Sequence, residues 1–186
     1  MKRIKKGNFG YLKSQKAIEI FKTLFCLILS VAIYRIGIYS TGSNKNLLTL
    51  VAVLGCLPMA KFAVNAIMFI KAKGCSLEVK EKIEAKGLKP VFYDLFFTTF
   101  KKNFQISALD YKKKSLIMLT EDPDIELQAA EDHIKEVLNN CGYSSVTVKI
   151  YTDSDKFIDR MAELKELSEE DKDLTYLFDN ILNVSL

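Results

Sequence analysis

The chain has 186 residues, of which 49% are hydrophobic, and a formal net charge of +4. This length excludes two large domains but allows one ordinary domain together with a membrane element. The charge is unevenly distributed, because residues 1–102 carry 18 Lys and Arg against 5 Asp and Glu (net +13), whereas residues 103–186 carry 9 against 18 (net −9). Since the basic excess adjoins the most apolar segments, we expect it to face a bilayer with anionic headgroups rather than nucleic acid.

The first segment, residues 1–22, contains seven Lys and Arg and a single acid, Glu19. It is too long and too rich in lysine for the n-region of a signal peptide, and no small-residue cleavage site follows the apolar run. We therefore expect the segment to stay attached and, by the positive-inside rule, to lie in the cytoplasm.

Residues 23–70 predict a two-helix transmembrane hairpin. The first span runs from Thr23 to about Tyr39, the loop reads YSTGSNKN, and the second span covers residues 46–70. A buried hairpin of a soluble protein is the competing interpretation, but a core of this size rarely holds two such uniform apolar runs. An even number of spans predicts a multi-pass protein of the cell (plasma) membrane with both termini in the cytoplasm.

Three polar residues stand out in the hairpin. Arg35 is close to the outer end of the first span, where its stem can extend to the headgroups and anchor the helix. Lys61 interrupts the second span, with Asn65 one turn later on the same face, and no acid lies within either span. A lysine at this depth costs about 2.5–3.5 kcal/mol unless a partner or water reaches it.

A stripe of small residues recurs at every fourth position of the second span and consists of Ala52, Cys56 and Ala60. Such a stripe permits close packing of helices. We expect it to pack against the first span, beside Ser30 and Gly37. The alternative is that Lys61 and Asn65 face another subunit or a partner protein.

Residues 76–186 predict a cytoplasmic α+β domain with the order α-βββ-α-β-α-α and a small mixed sheet. Ser76 caps a helix over 77–86 that Gly87 ends. The strands are 91–100, 104–111, 115–119 and 146–151, and the turns KKN and KKK join the first three. A helix begins at Asp122-Pro123 and ends at Gly142. Asp153 or Ser154 caps the next helix, and Ser168 opens the last.

The α-βββ-α-β order is also that of restriction-endonuclease-like cores, whose motif is an Asp on the second strand and an acid-x-Lys pair on the third. Here the third strand is SLIML, which has neither, and Asp110 lies at the end of the second strand beside a lysine turn. Topology alone licenses no activity. A membrane-bound hydrolase or nuclease with a degenerate site therefore remains the alternative.

Other motifs support no chemistry. Helix capping and dipole effects explain the acids Glu121, Asp122, Asp124 and Glu126, and His133 has no nucleophile at a meaningful spacing. No nucleotide-binding glycine loop occurs. The cysteines, at positions 26, 56, 75 and 141, lack paired or metal-binding spacing, so we expect free thiols in a reducing compartment. We expect no catalytic residue, no cofactor and no metal.

Three stretches resemble an uncharacterised two-transmembrane-helix family of anaerobic Gram-positive bacteria. They are KKGNFGYLKSQK, NLLTLVAVLGCLPMAKFAVNAIMF and the portion from TEDPD to VTVKIY. Members sometimes carry the label "O-linked GlcNAc transferase-like", which no nucleotide-sugar motif here supports. The resemblance implies the same bacterial membrane layout and no mechanism.

The first hypothesis is thus a non-enzymatic, membrane-anchored cytoplasmic domain that binds or scaffolds another protein or forms a homo-oligomer. A hydrolase or nuclease is the second. A third is a small transport or channel subunit lined by Lys61 and Asn65.

Overall fold

The computed structural model describes residues 4–99, 103–166 and 174–186. The chain forms two compact units. One, the α+β unit, combines Met1–Tyr11 with Gly74–Leu186, and the other, the hairpin unit, is Leu12–Lys73. In the order of the sequence, the helical hairpin therefore stands between two parts of one folded unit.

Two long helices make up the hairpin, α1 (Tyr11–Thr41) and α2 (Leu47–Lys71). Both are long and apolar enough to cross a membrane, and only 6% of the most apolar window of each is buried. The first helix starts twelve residues before the predicted span, because residues 11–22 contain neither glycine nor proline and hold mainly good helix formers. Asn46 caps α2 by accepting a hydrogen bond from the Thr49 amide at 2.8 Å.

A four-stranded mixed sheet forms the centre of the α+β unit, as the sequence predicted. The order is β1-β2-β3-β4; the first three strands are antiparallel, and β3 and β4 are parallel. The strands are β1 (Phe92–Phe97), β2 (Phe104–Lys112), β3 (Ser115–Leu119) and β4 (Thr147–Tyr151). The helix between β3 and β4 supplies the crossover that a parallel pair needs.

The remaining helices cover both faces of the sheet: α3 (Leu77–Ala85), α4 (Leu127–Asn140), α5 (Ser154–Glu166) and α6 (Thr175–Val184). One core cluster joins the sheet to α4 and α6. The other joins it to α3 and α5. Strand β3 is apolar at successive positions because its side chains alternate between the two clusters. Leu116 and Met118 lie in the first cluster, and Ile117 and Leu119 lie in the second.

Most helix ends agree with their sequence signals. Ser76 caps α3 by accepting from the Val79 amide at 3.2 Å, and Gly87 and Gly142 follow their helices with positive φ. Asp153 accepts from the Asp155 amide at the start of α5.

The predicted start of α4 at Asp122-Pro123 is wrong. The Asp122 carboxyl accepts from the Asp124 amide at 3.1 Å and so closes a local turn, and the helix begins only at Leu127. The predicted start of the last helix at Ser168, and part of the KKN turn, lie outside the described residues.

Candidate functional site

A buried carboxyl in β1 connects both segments that lead to the hairpin. Asp94 is 1% exposed, and its two oxygens accept hydrogen bonds from the amides of Gly10 (2.7 Å) and Cys75 (2.6 Å). Gly10 immediately precedes α1, and Cys75 comes shortly after α2. A side chain at Gly74 would approach the same carboxyl to 3.0 Å. One side chain thus holds the chain at its exit to the hairpin and at its return.

Asp94 also reverses the faces of its strand. It has φ 55°, in the left-handed region that a non-glycine residue rarely adopts. Tyr93 belongs to the core cluster of α3 and α5, whereas Leu95 belongs to the cluster of α4 and α6. In a regular strand, residues two apart lie on the same face. The unusual conformation therefore lets β1 supply apolar side chains to both cores while its carboxyl binds two amides.

The segment before α1 covers the free edge of β1. The Tyr93 amide donates to the Gly7 carbonyl at 2.8 Å, and the ring of Phe9 meets that of Tyr93 edge-on at 5.9 Å. Lys6 donates to the Ser185 carbonyl at 2.6 Å, and burial lowers the pKa of this lysine. Gly7 has φ 81°, and a Cβ there would meet the Phe92 ring at 2.6 Å. Residues 6–10 are therefore packed and hydrogen-bonded as an integral part of the α+β unit.

Asp110, the residue tested for nuclease chemistry, is buried in β2 and 3% exposed. Burial raises the pKa of its carboxyl to about 6, against the opposing effects of Lys112 and of hydrogen bonds from the backbone of Tyr111 and Val91. Its cross-strand partner in β3 is Ile117, and no acid or lysine lies in that strand. The acid-x-Lys half of a nuclease site is thus missing opposite Asp110.

A cleft of about 770 Å³ lies at the start of α4. Its apolar floor includes Phe104, Ile125 and Leu127, and its acidic side chains are Glu126, Asp132 and Glu136. No lysine or arginine is among the described lining residues. Ile125 and Glu126, which precede α4, line the cleft together with residues of its first turns. The described lining of the cleft thus combines apolar and acidic side chains.

His133 lines the cleft and packs against Phe104. Its ring lies edge-on to Phe104 at 5.8 Å, and its Nε2 is buried with no partner among the described residues. The described part of the chain contains no group of three His, Cys, Asp or Glu side chains that could hold a metal ion. Two of the four acids at positions 121–126 accept hydrogen bonds from different backbone amides. The Glu121 carboxyl accepts from the Ser76 amide at 3.0 Å, and the Asp122 carboxyl accepts from the Asp124 amide and closes a turn.

Of the three polar candidates of the hairpin, Arg35 belongs to α1, whereas Lys61 and Asn65 are one turn apart in α2. Arg35 and Lys61 are exposed on the helix surface, and Asn65 is half-buried. No ion pair involves Lys61 within the described residues. An acid that sequence analysis placed before the span, Glu19, lies inside α1, is 6% exposed, and pairs with Lys22 at 2.6 Å.

The close contacts between α1 and α2 involve glycines rather than the predicted stripe. A Cβ at Gly55 would lie 2.8 Å from the Ser30 Oγ, and one at Gly37 would lie 2.9 Å from the Cβ of Leu48. Ala52 of the stripe is buried, but Cys56 and Ala60 are exposed. Ser30 and Gly37 were correctly singled out as packing residues, although their neighbours are different ones.

Sequence reasoning overlooked Asp94 because an isolated Asp within FYDLFF gives no motif. The one available signal was its charge in an otherwise apolar strand, which requires a specific partner when buried. Comparison of the chain with protein-family models, with curated proteins and with solved structures gives no match in any of the three. The resemblance to the bacterial two-helix family therefore stays a prediction.

Proposed function

We propose that this protein is a non-enzymatic, membrane-anchored binding or scaffolding module. The observation that carries the proposal is the insertion of two exposed apolar helices within one folded α+β unit. An apolar surface of this extent requires a lipid or protein environment. The rest of the chain forms a domain with two filled cores and its own cleft.

The composition of the α+β unit supports a hairpin topology. Residues before α1 and residues after α2 belong to the same unit, and Asp94 binds an amide from each. A folded unit cannot form across a bilayer, so both ends of the hairpin must leave the membrane on one side. The basic residues of the first 22 positions favour the cytoplasmic side of the cell membrane.

The cleft at α4 is the surface we assign to the partner. Its described lining joins apolar side chains to three carboxylates, and residues 103–186 carry a net charge of −9. A protein segment that presents lysine or arginine beside apolar side chains fits this chemistry, because complementary charge directs association while apolar burial supplies affinity. The partner is either a different protein or a second copy of the chain.

The test is recovery of the full-length protein from native membranes in mild detergent, followed by identification and sizing of what accompanies it. Glu136→Lys reverses charge at the cleft, and Glu81→Lys makes the same change on α3, which packs in the other core cluster. We expect Glu136→Lys to release the associated protein and Glu81→Lys to retain it. Equal retention by both variants, or a chain that is always a lone monomer, contradicts the proposal.

One observation keeps the hydrolase or nuclease alternative in view, namely a buried Asp110 with a pKa raised to about 6 in a sheet of the α-βββ-α-β order. Metal-dependent phosphodiester hydrolysis by the full-length protein that Asp110→Asn abolishes would favour that alternative. Unchanged background activity in both proteins favours the binding module.

A further inference from the structure

The contacts between the two hairpin helices define the depth of Lys61. Ser30 lies beside Gly55, Gly37 beside Leu48, and the Lys22 Nζ over the Phe62 ring at 5.5 Å. These three contacts describe an antiparallel pair in constant register. Because Lys61 precedes Phe62, it lies at the level of Lys22 and its ion pair with Glu19. Lys61 therefore shares its level with charged side chains of α1, near the end of the hairpin that leads to Lys71.

The same register places Arg35 at the level of Leu50, two residues beyond the contact between Gly37 and Leu48. At 1.5 Å per residue, the charge-free band from Leu50 to Lys61 is about 16 Å thick. This is only half of the ~30 Å that a bilayer's hydrocarbon requires. Neither charged level can therefore be the hydrocarbon boundary unless the side chains extend away from the band.

The difference closes if both side chains extend away from the band, which in each helix is towards the C-terminus and against the usual lean of helical side chains. A lysine or arginine stem spans about 6 Å, a little more than one helical turn. From Lys61 that reach ends at the level of Asn65, and from Arg35 it ends near the level of Asn46. The distance along α2 from Asn46 to Asn65 is about 28 Å. With this reach, the two cationic groups would lie at the levels of two polar residues, Asn46 and Asn65.

The surroundings of Lys61 identify what its ammonium meets. Leu57 and Val64, its neighbours on the same helical face, are 69% and 55% exposed, so Lys61 lies in a lipid-facing stripe. No ion pair of the described residues involves it. The group that a lipid bilayer offers to a cation at the hydrocarbon boundary is the phosphate of a headgroup.

We propose that Lys61 binds the phosphate of a phospholipid in the leaflet adjoining Lys71, and that this contact sets the depth of α2. The proposal rests on the membrane insertion of the hairpin that we proposed above. Without the cation, Lys71 is the only charged residue left in α2, and the helix sinks further into the hydrocarbon. Arginine at position 61 keeps the contact, because its guanidinium also binds phosphate.

The absence of tryptophan from the chain provides the test. Ile67→Trp places a single fluorophore on α2, two residues beyond Asn65, at a site that is 54% exposed. The full-length protein is incorporated into phosphatidylglycerol vesicles that carry bromine at defined depths of the acyl chain. We expect quenching at the headgroup boundary with Lys61 or Lys61→Arg, and a shift inward of about one helical turn with Lys61→Leu. Lys45→Leu, a matched change in the exposed loop, leaves the depth unaltered.

Two further arms distinguish the outcomes. In vesicles of a phosphate-free diglucosyl lipid, Lys61 and Lys61→Leu should give the same depth. Equal fluorophore depths for the wild-type protein and Lys61→Leu in phosphatidylglycerol vesicles overturn the proposal. A fluorophore depth that changes with the amount of protein per vesicle also overturns it, because it indicates that Lys61 contacts a second copy of the chain. Lys61→Gln replaces Lys61→Leu if the latter fails to incorporate. Failure of the wild-type protein to float with vesicles refutes the membrane anchor itself, independently of Lys61.

Discussion

Removal of the Asp94 carboxyl should destabilise the α+β unit more than removal of any exposed acid. In Asp94→Ala, the amides of Gly10 and Cys75 lose their acceptor. Each buried donor left unsatisfied costs about 1–3 kcal/mol. Alanine at φ 55° adds about 1–2 kcal/mol of backbone strain. We therefore expect a loss of about 3–8 kcal/mol, a large fraction of the stability of an ordinary domain.

Two further variants separate the contribution of the Asp94 hydrogen bonds to this loss of stability from the general effect of removing a carboxyl. Asn tolerates the left-handed region and retains one oxygen, so Asp94→Asn should lose about half as much as Asp94→Ala. Asp159→Ala removes an exposed carboxyl that pairs with Lys86 at 2.6 Å, and its cost should stay below about 1 kcal/mol.

Urea unfolding in detergent, followed by circular dichroism, measures these differences, and amide hydrogen exchange at Gly10 and Cys75 locates them. We expect both amides to exchange faster in Asp94→Ala and neither to change in Asp159→Ala. If Asp94→Ala unfolds like wild type, or if the two amides keep their protection, the assignment of Asp94 as the connecting residue is wrong.

Three further outcomes are expected. Because burial raises the pKa of Asp110 to about 6, the native state retains its proton after the unfolded state has lost it. Stability should therefore fall by about 2–3 kcal/mol as the pH rises from 4 to 6, and urea titrations of Asp110→Asn should lack this fall. Gly55→Ala places a methyl group 2.8 Å from the Ser30 Oγ and should weaken the packing of α1 against α2. Cross-linking between the two helices should therefore decrease in Gly55→Ala and recover in the double variant Gly55→Ala/Ser30→Ala. A double variant that does not recover contradicts the contact between Gly55 and Ser30. Thr120→Val removes a buried hydroxyl that donates to the Gln105 carbonyl at 2.8 Å and should cost about 1–3 kcal/mol in thermal unfolding, so an unchanged midpoint refutes its role.

The features that were predictable from sequence depend on residues close together in the chain. Ser76 and Gly87 delimit α3 through local hydrogen bonds and a positive φ, and both signals appear in the sequence itself. The two apolar helices follow in the same way from long and strongly apolar stretches. Strand β3 was located to the residue because lysine turns and a proline-containing loop bound it.

The features that sequence could not supply arise from contacts between distant segments. Asp94 binds amides 84 and 19 residues away, and its positive φ leaves no trace in FYDLFF. The level of Lys61 depends on the register of two helices, which neither helix encodes alone. At Asp122-Pro123 the failure is local, since the same residues cap a helix or close a turn, and here the side chain closes the turn.

The α+β unit is assembled from two segments that are separated in the sequence by the hairpin, and this limits when the unit can finish folding. Residues 6–10 leave the ribosome first, but Asp94 and Tyr93, which bind them, are synthesised only after both helices of the hairpin. Residues 6–10 can therefore take their place on β1 only after α1 and α2 have been translated, so the α+β unit cannot be completed before both hairpin helices have been synthesised.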